Sequence, residues 1–323
     1  MRRAHGAGAQ GPDDAAELGR RLAAGDRSAA PAALNAIEDR SPRGRAAARE
    51  LLAELGVAGA AHLVGVTGPP GAGKSSLLSA LVAAWRAAGR TVAVLAVDPS
   101  SKRSGGSLLG DRARIEHDPR DDGVLIRSTA AGGRLGGLAA PTRDAAFALA
   151  AAFDLVVVET VGVGQSETDV EELCDTTVVV VQPASGDTLQ FLKAGIMEVP
   201  DVLVVTKADL GDVALRAERD LRAALRALGA TETPVVAVSS LPPARGIEKL
   251  AAAIDAHRDG LDIAASRRRS RQLAALADFA AEHGERALRA LGGRRAAERL
   301  LADAEPELTT AQLAERLEQL ATD

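Results

Sequence analysis

The sequence predicts an α/β fold built around a mostly parallel, doubly wound sheet, and two patterns lead to this prediction. The first is a series of short, continuous apolar runs rich in valine, which suit strands buried on both faces of a parallel sheet. The second is the helical spacing of the segments between most of these runs, which gives repeated strand–helix units. The predicted strands are residues 62–68, 91–98, 123–129, 153–160, 176–183, 201–209 and 233–240.

Helical patterns without strands flank this predicted sheet on both sides. Residues 15–59 have the spacing of two or three helices, interrupted at Ser41 and Pro42. After about Arg258 the strand pattern stops, and the rest of the chain is helical in pattern. We therefore divide the chain into a disordered start and helical extension (1–59), a nucleotide-binding domain (60–258) and a C-terminal helical arm (259–323).

Composition and charge exclude several classes of protein. A formal net charge of -5 disfavours general binding to nucleic acid or to an anionic membrane. The single cysteine, Cys174, excludes an internal disulfide framework and a cysteine-built metal cluster. An apolar run of about 18 residues is absent, as is the apolar core of a secretory signal, so the sequence predicts a cytoplasmic protein. The basic cluster at 267–271 is interpreted as a helix face at an oligomer seam, since no tyrosine accompanies it to stack on bases.

A glycine-rich motif follows the first predicted strand and opens a helix. It fits G-x4-G-K-[ST], the phosphate loop of P-loop nucleotide hydrolases, in which backbone N–H groups and a helix N-terminus surround phosphate oxygens. Lys74 is predicted to bridge the β- and γ-phosphates, and the Ser75 hydroxyl to bind Mg²⁺. The predicted phosphate-binding residues are Gly68, Pro69, Pro70, Gly71, Ala72, Gly73, Lys74, Ser75 and Ser76.

Acidic residues end two of the strands expected beside this loop. Asp98 ends the second predicted strand and Glu159 ends the fourth, and the carboxyl ends of parallel strands converge on a bound nucleotide. Both are therefore candidate magnesium ligands, although Asp98 also suits a simple capping role. The segment from Glu159 to Gly162 resembles the D-x-x-G switch with Glu in place of Asp, which predicts that the Gly162 N–H binds the γ-phosphate.

A T-K-A-D sequence at 206–209 follows the sixth predicted strand and resembles the N-K-x-D guanine reader. Guanine presents N1–H and N2–H donors to a carboxylate such as Asp209, whereas adenine presents an acceptor at N1 that would leave this carboxylate unpaired. The aliphatic stem of Lys207 is predicted to lie along the base. Ser239 and Ser240 are candidates to supply the N–H that binds guanine O6. Because Thr206 replaces the usual Asn, its contacts to guanine N7 and to the phosphate loop are open.

Several motifs in this order resemble the MeaB/ArgK family over residues 60–255. They are GPPGAGKSS, DPSSKRSGGSLLGDRAR, RLGGLA, ETVGVGQSE and GDTLQFLKAGIMEVPDVLVVTKAD. The resemblance implies a GTPase that chaperones an adenosylcobalamin-dependent acyl-CoA mutase, methylmalonyl-CoA mutase above all, by gating cofactor loading and protecting or reactivating the mutase. It also implies a P-loop core related to signal-recognition and nickel-insertion GTPases, an N-terminal helical extension, a C-terminal arm that forms a homodimer, and slow GTP hydrolysis without the mutase.

The resemblance also assigns site residues. It implies that Asp98 and Asp111 lie near Mg²⁺ and the attacking water, and that Glu159 is the acid of the second switch. Gln190 and Lys193 match a third mobile loop that couples partner binding to hydrolysis, although the residues alone favour a solvated helix face.

Departures from the family pattern at Ala113, Gly132 and Arg134 leave the identity of the client mutase open. Isobutyryl-, ethylmalonyl- and methylmalonyl-CoA mutases all fit. Alternative functions are a phosphotransferase acting on a transport-binding protein, a scaffold gated by nucleotide, and a nickel-insertion GTPase, for which the expected His or Cys ligands are missing.

Overall fold

The computed structural model of the chain describes residues 14–57, 61–98, 115–130, 138, 140–160, 166–183 and 200–322. Within these ranges seven strands form one sheet, all neighbours are parallel, and the order is β3-β2-β4-β1-β5-β6-β7. The strands are β1 (His62–Thr67), β2 (Val92–Asp98), β3 (Val124–Ala130), β4 (Leu155–Glu159), β5 (Thr176–Val181), β6 (Val202–Val205) and β7 (Val235–Ala237). Each overlaps its predicted run, so the predicted parallel, doubly wound sheet is confirmed.

Helices cover both faces of the sheet and extend beyond it at the C-terminal end of the chain. They are α1 (Ala15–Ala23), α2 (Ala30–Glu38), α3 (Pro42–Leu55), α4 (Lys74–Ala87), α5 (Ala140–Leu149), α6 (Ser166–Leu173), α7 (Asp212–Ala227), α8 (Ile247–Asp259), α9 (Ile263–Ala290), α10 (Arg294–Ala302) and α11 (Thr310–Thr322). None of the helices in the described ranges is long and apolar enough to cross a membrane. The limits of the three predicted domains stay a prediction.

Alternating side chains of the strands build a separate apolar core on each face. In β1, Leu63 packs with α1–α3, α5 and α6, whereas Val64 and Val66 pack with α4 and α8. Because each strand is covered on both sides, nearly continuous valine runs are stable here, whereas a half-exposed sheet would show strict alternation of apolar and polar residues. Trp85 of α4 is 2% exposed in the second of these cores.

The predicted helical extension consists of α1–α3, which pack against the first face. Ser41 accepts a hydrogen bond from the Gly44 N–H and so caps α3, with Pro42 in the first turn. Helices α1 and α3 are in direct contact, since a Cβ at Gly19 would lie 2.4 Å from the Leu51 carbonyl oxygen. The predicted interruption at Ser41 and Pro42 is therefore confirmed as the start of a capped helix.

Helices α9–α11 form a hydrophobic cluster of their own, which we call the C-terminal bundle. Its buried members include Leu276 and Phe279 of α9, Leu301 of α10 and Leu317 of α11. Gly284, with φ 74° and ψ 178°, interrupts α9. A non-glycine residue would be strained in that conformation, so glycine permits the change of direction within the helix. The predicted helical character of this part of the chain is confirmed, whereas its role in dimerisation stays a prediction.

The basic cluster at 267–271 makes contacts within the chain itself. Arg267 pairs with the buried Asp175 at 2.8 Å. Arg268 and Arg271 donate to backbone carbonyl oxygens at and beyond the end of α10, namely those of Ala302, Ala304, Pro306 and Leu308. Cations stabilise a helix C-terminus, where carbonyl oxygens lack partners. These contacts give Arg267, Arg268 and Arg271 partners within the chain, and the predicted oligomer seam stays a prediction.

A chain of hydrogen bonds, buried at His62 and Thr176 and partly exposed at its other end, crosses the amino ends of β1, β5 and β6. His62 Nε2 lies 2.8 Å from Thr176 Oγ1, which lies 2.9 Å from His257 Nδ1, and His257 Nε2 lies 3.1 Å from Asp201 Oδ1. A carboxylate only accepts, so we assign a hydrogen to His257 Nε2. The Thr176 hydroxyl then donates to His257 and accepts from His62 Nε2–H. His62 is fully buried, and this burial lowers its pKa to about 4.

This histidine is expected to make stability depend on pH between about 6.5 and 4. Above this window His62 is neutral in both states, and as pH falls through it only the unfolded chain gains the proton. Stability should fall by about 1.4 kcal/mol per pH unit, about 3 kcal/mol in all, and this contribution should be constant below pH 4. Urea unfolding of wild type and His62→Gln, measured every half unit from pH 7 to 4.5, tests this dependence.

The glutamine variant should be less stable at pH 7, because it alters a packed hydrogen-bond chain, but its stability should fall less steeply with acid. His283→Gln, at the exposed His283 of α9, is the matched control and should keep the wild-type slope. Equal slopes for wild type and His62→Gln would contradict the assignment of this pH dependence to His62.

Candidate functional site

The loop between β1 and α4 has the backbone conformation that a phosphate cradle requires. Gly68 has φ 149°, and a Cβ there would lie 2.3 Å from the Val180 carbonyl oxygen of β5. Gly73 has φ 89° and caps α4 in the left-handed conformation, so its own N–H and those of the first helical turn face the loop. Glycine is needed at the first position for close approach and at the second for its positive φ.

The side chain of Lys74 is folded into this loop. Its Nζ donates to the carbonyl oxygen of Gly68 at 2.6 Å and to that of Pro69 at 3.2 Å, and the residue is only 8% exposed. Lys74 starts α4, where the helix dipole also contributes positive potential. The predicted combination of a strand, a glycine loop, a lysine and a helix N-terminus is therefore present, and it suits the phosphates of a nucleotide.

A hydroxyl and a carboxylate meet beside the loop. Ser75 Oγ of α4 donates to Glu159 Oε1, at the end of β4, over 3.3 Å. Glu159 is 8% exposed, and Thr160 after it donates its N–H to the Val66 carbonyl oxygen of β1 at 3.0 Å. A hydroxyl and a carboxylate oxygen are hard ligands of the kind Mg²⁺ prefers, so the donor set fits that ion.

The structure describes the other predicted switch residues only in part or not at all. Asp98 ends β2, the strand next to β4, but the structure does not describe its side chain. The register pairs Ala96 with Glu159, so Asp98 lies two residues farther along the neighbouring strand. Asp111, Gly162, Gln190 and Lys193 lie outside the described residues, and their predicted roles stay predictions.

Thr206 begins the loop at 206–209, which we call the base-reading loop, and joins it to the phosphate loop. Its hydroxyl lies 2.6 Å from the Ala72 carbonyl oxygen and 3.1 Å from that of Val181. The sequence left open whether a threonine replaces the usual asparagine as a brace here. It does, since the residue is 3% exposed and its oxygen lies within hydrogen-bond distance of the phosphate loop.

Lys207 and Asp209 lie at the same carboxyl edge of the sheet. Lys207 has φ 54°, and its Nζ donates to the Gly71 carbonyl oxygen at 3.2 Å and to Gln182 Oε1 at 2.8 Å. The left-handed turn ends β6 at Val205, four residues before the predicted end. The side chain of Lys207 therefore spans the distance from the base-reading loop to the phosphate loop.

Asp209 lies in a single 3-10 turn and is exposed, with one carboxylate oxygen held in place. Ser239 Oγ donates to Asp209 Oδ1 at 2.9 Å. Ser239 is itself fixed by a backbone bridge to Arg245, and Ser240 follows it in the loop after β7. The sequence predicts that a backbone N–H of Ser239 or Ser240 binds guanine O6. The contact of the Ser239 hydroxyl with Asp209 is an additional feature of the site.

Sequence reasoning missed Gln182 altogether. The only signal for it is its position as the polar residue directly after the apolar run of β5. Its contact with Lys207 depends on β5 and β6 being neighbours in the sheet, which the sequence does not specify.

The fold and the site together define the class of protein. A parallel sheet carries a phosphate loop after β1, a carboxylate at the end of the adjacent β4 and a K-x-D loop after β6, all at the carboxyl edge. This is a P-loop nucleotide hydrolase with a guanine-reading loop. The chain belongs to the MeaB family of GTPases, because the family model described as "Methylmalonyl Co-A mutase-associated GTPase MeaB" matches residues 30–290.

Individual relatives agree with this assignment. A protein of Caulobacter vibrioides named as a GTPase is 43% identical over 252 residues, covering 76% of this chain and 77% of that protein. The mitochondrial methylmalonic aciduria type A homolog of Caenorhabditis elegans is 40% identical over 215 residues, covering 62% of this chain and 54% of that protein. A crystal structure of an LAO/AO transport system kinase matches with a TM-score of 0.65 and 29% identity, covering 96% of this chain and 98% of that one.

Proposed function

We propose that this GTPase hydrolyses Mg-GTP at the carboxyl edge of the sheet, with the phosphates on residues 68–75 and the base on Asp209. The observation that carries this proposal is the brace between the two loops, in which Thr206 binds the Ala72 carbonyl oxygen and Lys207 binds that of Gly71. Two loops held together in this way present their groups to one ligand that has a phosphate chain and a base.

The chemistry proposed for the individual residues follows from their positions. Lys74 neutralises charge on the β- and γ-phosphates as the leaving oxygen becomes more negative. Mg²⁺ would be held by Ser75, Glu159, Asp98 and Asp111, and when bound it would supply further positive charge to the phosphates. Asp98 and Glu159 end adjacent strands, two residues apart in register, and this backbone placement supports their proposed roles at the ion.

We further propose that the chain acts as a chaperone of an adenosylcobalamin-dependent acyl-CoA mutase, with methylmalonyl-CoA mutase as the first candidate. The family description names a methylmalonyl-CoA mutase-associated GTPase, and the worm relative is named for methylmalonic aciduria. In this proposal, loss of the γ-phosphate releases the segments at 98–111 and 159–167, including Gly162, and so changes the complex with the mutase. Gln190 and Lys193 respond to the bound mutase, and the C-terminal helices form a homodimer.

Phosphate release from GTP and from ATP tests both parts of the proposal. The purified chain is assayed alone and with methylmalonyl-, isobutyryl- and ethylmalonyl-CoA mutases, and each mutase is also assayed without the chain. We expect slow, GTP-selective turnover that one mutase raises about 10-fold or more, because in this proposal the bound mutase positions the switch residues that complete stabilisation of the transition state.

Each contrary result has a distinct meaning. Equal turnover of ATP and GTP would overturn the role of Asp209 in reading guanine. GTP turnover that no mutase changes would overturn the client. Loss of γ-phosphate to an added acceptor protein, without release of free phosphate, would favour a phosphotransferase instead.

A further inference from the structure

The ammonium group of Lys207 donates hydrogen bonds to two acceptors. One acceptor is the Gly71 carbonyl oxygen of the phosphate loop, and the other is Gln182 Oε1 at 2.8 Å. A lysine side chain has many rotamers and loses considerable entropy when it is fixed. Two acceptors in place before a ligand arrives reduce the entropy that ligand binding must overcome.

The orientation of the Gln182 amide follows from chemistry. An ammonium group has only donors, so the amide oxygen and not the nitrogen must face Lys207. The backbone of Gln182 is fixed as well, since it directly follows β5, which is paired with β1 on one side and β6 on the other. The Gln182 amide therefore reaches Lys207 from a backbone position that the sheet fixes.

The replacement of asparagine by threonine at 206 makes the position of Lys207 more important. A threonine hydroxyl has a single hydrogen, and here both of its close neighbours are carbonyl oxygens, of Ala72 and Val181, which can only accept. Thr206 therefore has no donor left for N7 of a base. The contacts that hold the base in this loop then fall to the stem of Lys207 and the carboxylate of Asp209.

We propose that Gln182 is a positioning residue for nucleotide binding, which holds Lys207 in the conformation that packs along the base. This inference rests on the proposed binding of guanine nucleotide. Gln182 acts through its amide oxygen alone, and it acts on binding and not on the chemical step, because its partner lies at the base side of the phosphate loop.

Two substitutions separate the acceptor from the rest of the side chain. Gln182→Met keeps the length and removes the acceptor, whereas Gln182→Glu keeps an acceptor for the ammonium group. Titration with fluorescent GDP and with ADP gives Kd, and steady-state hydrolysis gives kcat and KM. We expect Gln182→Met to weaken GDP binding about 5- to 10-fold with kcat within about 2-fold of wild type, and Gln182→Glu to bind within about 3-fold of wild type.

A double substitution tests the route of the effect. In a Lys207→Met background, Gln182→Met should cause no further loss of GDP affinity, since its partner is gone. An equal additional loss in that background would show that Gln182 acts on the nucleotide directly. So would a Gln182→Glu variant that binds as weakly as Gln182→Met, and either result overturns the proposal.

Failure of the underlying function has a different signature. Wild-type protein that binds ADP as tightly as GDP would overturn the guanine reading itself. Wild-type preference for GDP, together with unchanged GDP binding in a folded Gln182→Met variant, would overturn only the role of Gln182. Thermal unfolding of each variant shows whether it is folded.

Discussion

Replacement of Lys74 by alanine should lower GTP hydrolysis at saturating nucleotide by about 100- to 1000-fold, the effect of removing one preorganised group that stabilises developing charge. The structure supplies the reason. Lys74 is 8% exposed and its ammonium group lies inside the loop, on the Gly68 and Pro69 carbonyl oxygens, so its charge acts where water is largely excluded. Single-turnover hydrolysis of labelled GTP measures the effect without interference from product release.

The matched control for Lys74→Ala is Lys249→Ala, at an exposed lysine of α8. It removes the same charge from the chain and should leave hydrolysis unchanged. Thermal unfolding must show that Lys74→Ala is folded, because the lysine also stabilises the empty loop through two hydrogen bonds. A folded Lys74→Ala protein with more than about a third of wild-type activity would contradict the proposed role of this residue.

Replacement of Asp209 by asparagine should weaken GTP binding by about 100-fold or more, because the new amide faces two donors of guanine with a donor of its own. The same variant should gain affinity for xanthosine triphosphate. Xanthine has an oxygen at C2 in place of the amino group, so the asparagine NH₂ can donate to it while its oxygen accepts from N1–H. The Ser239 hydroxyl, at 2.9 Å from Asp209, holds the side chain in place for either base.

Competition between labelled GDP and unlabelled guanine, xanthine and adenine nucleotides measures this change of specificity. Asp212→Asn is the matched control, because Asp212 lies in the first turn of α7, three residues beyond Asp209, and has no proposed contact with the base. It should bind all three as wild type does. If Asp209→Asn keeps wild-type affinity for GDP, the guanine base does not bind at Asp209, and the prediction is wrong.

Features that depend on local pattern were predictable from the sequence, and contacts between distant segments were not. The valine runs predicted every strand of the sheet, because only strands covered on both faces tolerate such runs. The phosphate loop was predictable because its function requires glycines, a lysine and a hydroxyl at fixed spacing. The pairing of Ser75 with Glu159 followed from the rule that parallel strands end at one edge.

The contact of Thr206 with Ala72 joins residues 134 positions apart, and its existence depends on a few tenths of an ångström in the placement of two loops. The same holds for Gln182 and Lys207, and for the hydrogen-bond chain from His62 to Asp201. No residue pattern signals such distances. The partners of the basic cluster were unpredictable for a further reason, since a backbone carbonyl oxygen carries no sequence signature.

The C-terminal bundle shares no buried apolar residue with the cores of the sheet, among the residues that the structure describes. Its first helix is instead tied to the sheet and its helices by ion pairs, of Arg267 with Asp175 and of Arg143 with Asp278. Apolar surfaces can slide over one another at small cost, whereas a guanidinium–carboxylate pair fixes both distance and direction. These two pairs therefore fix the position and direction of α9 relative to the sheet.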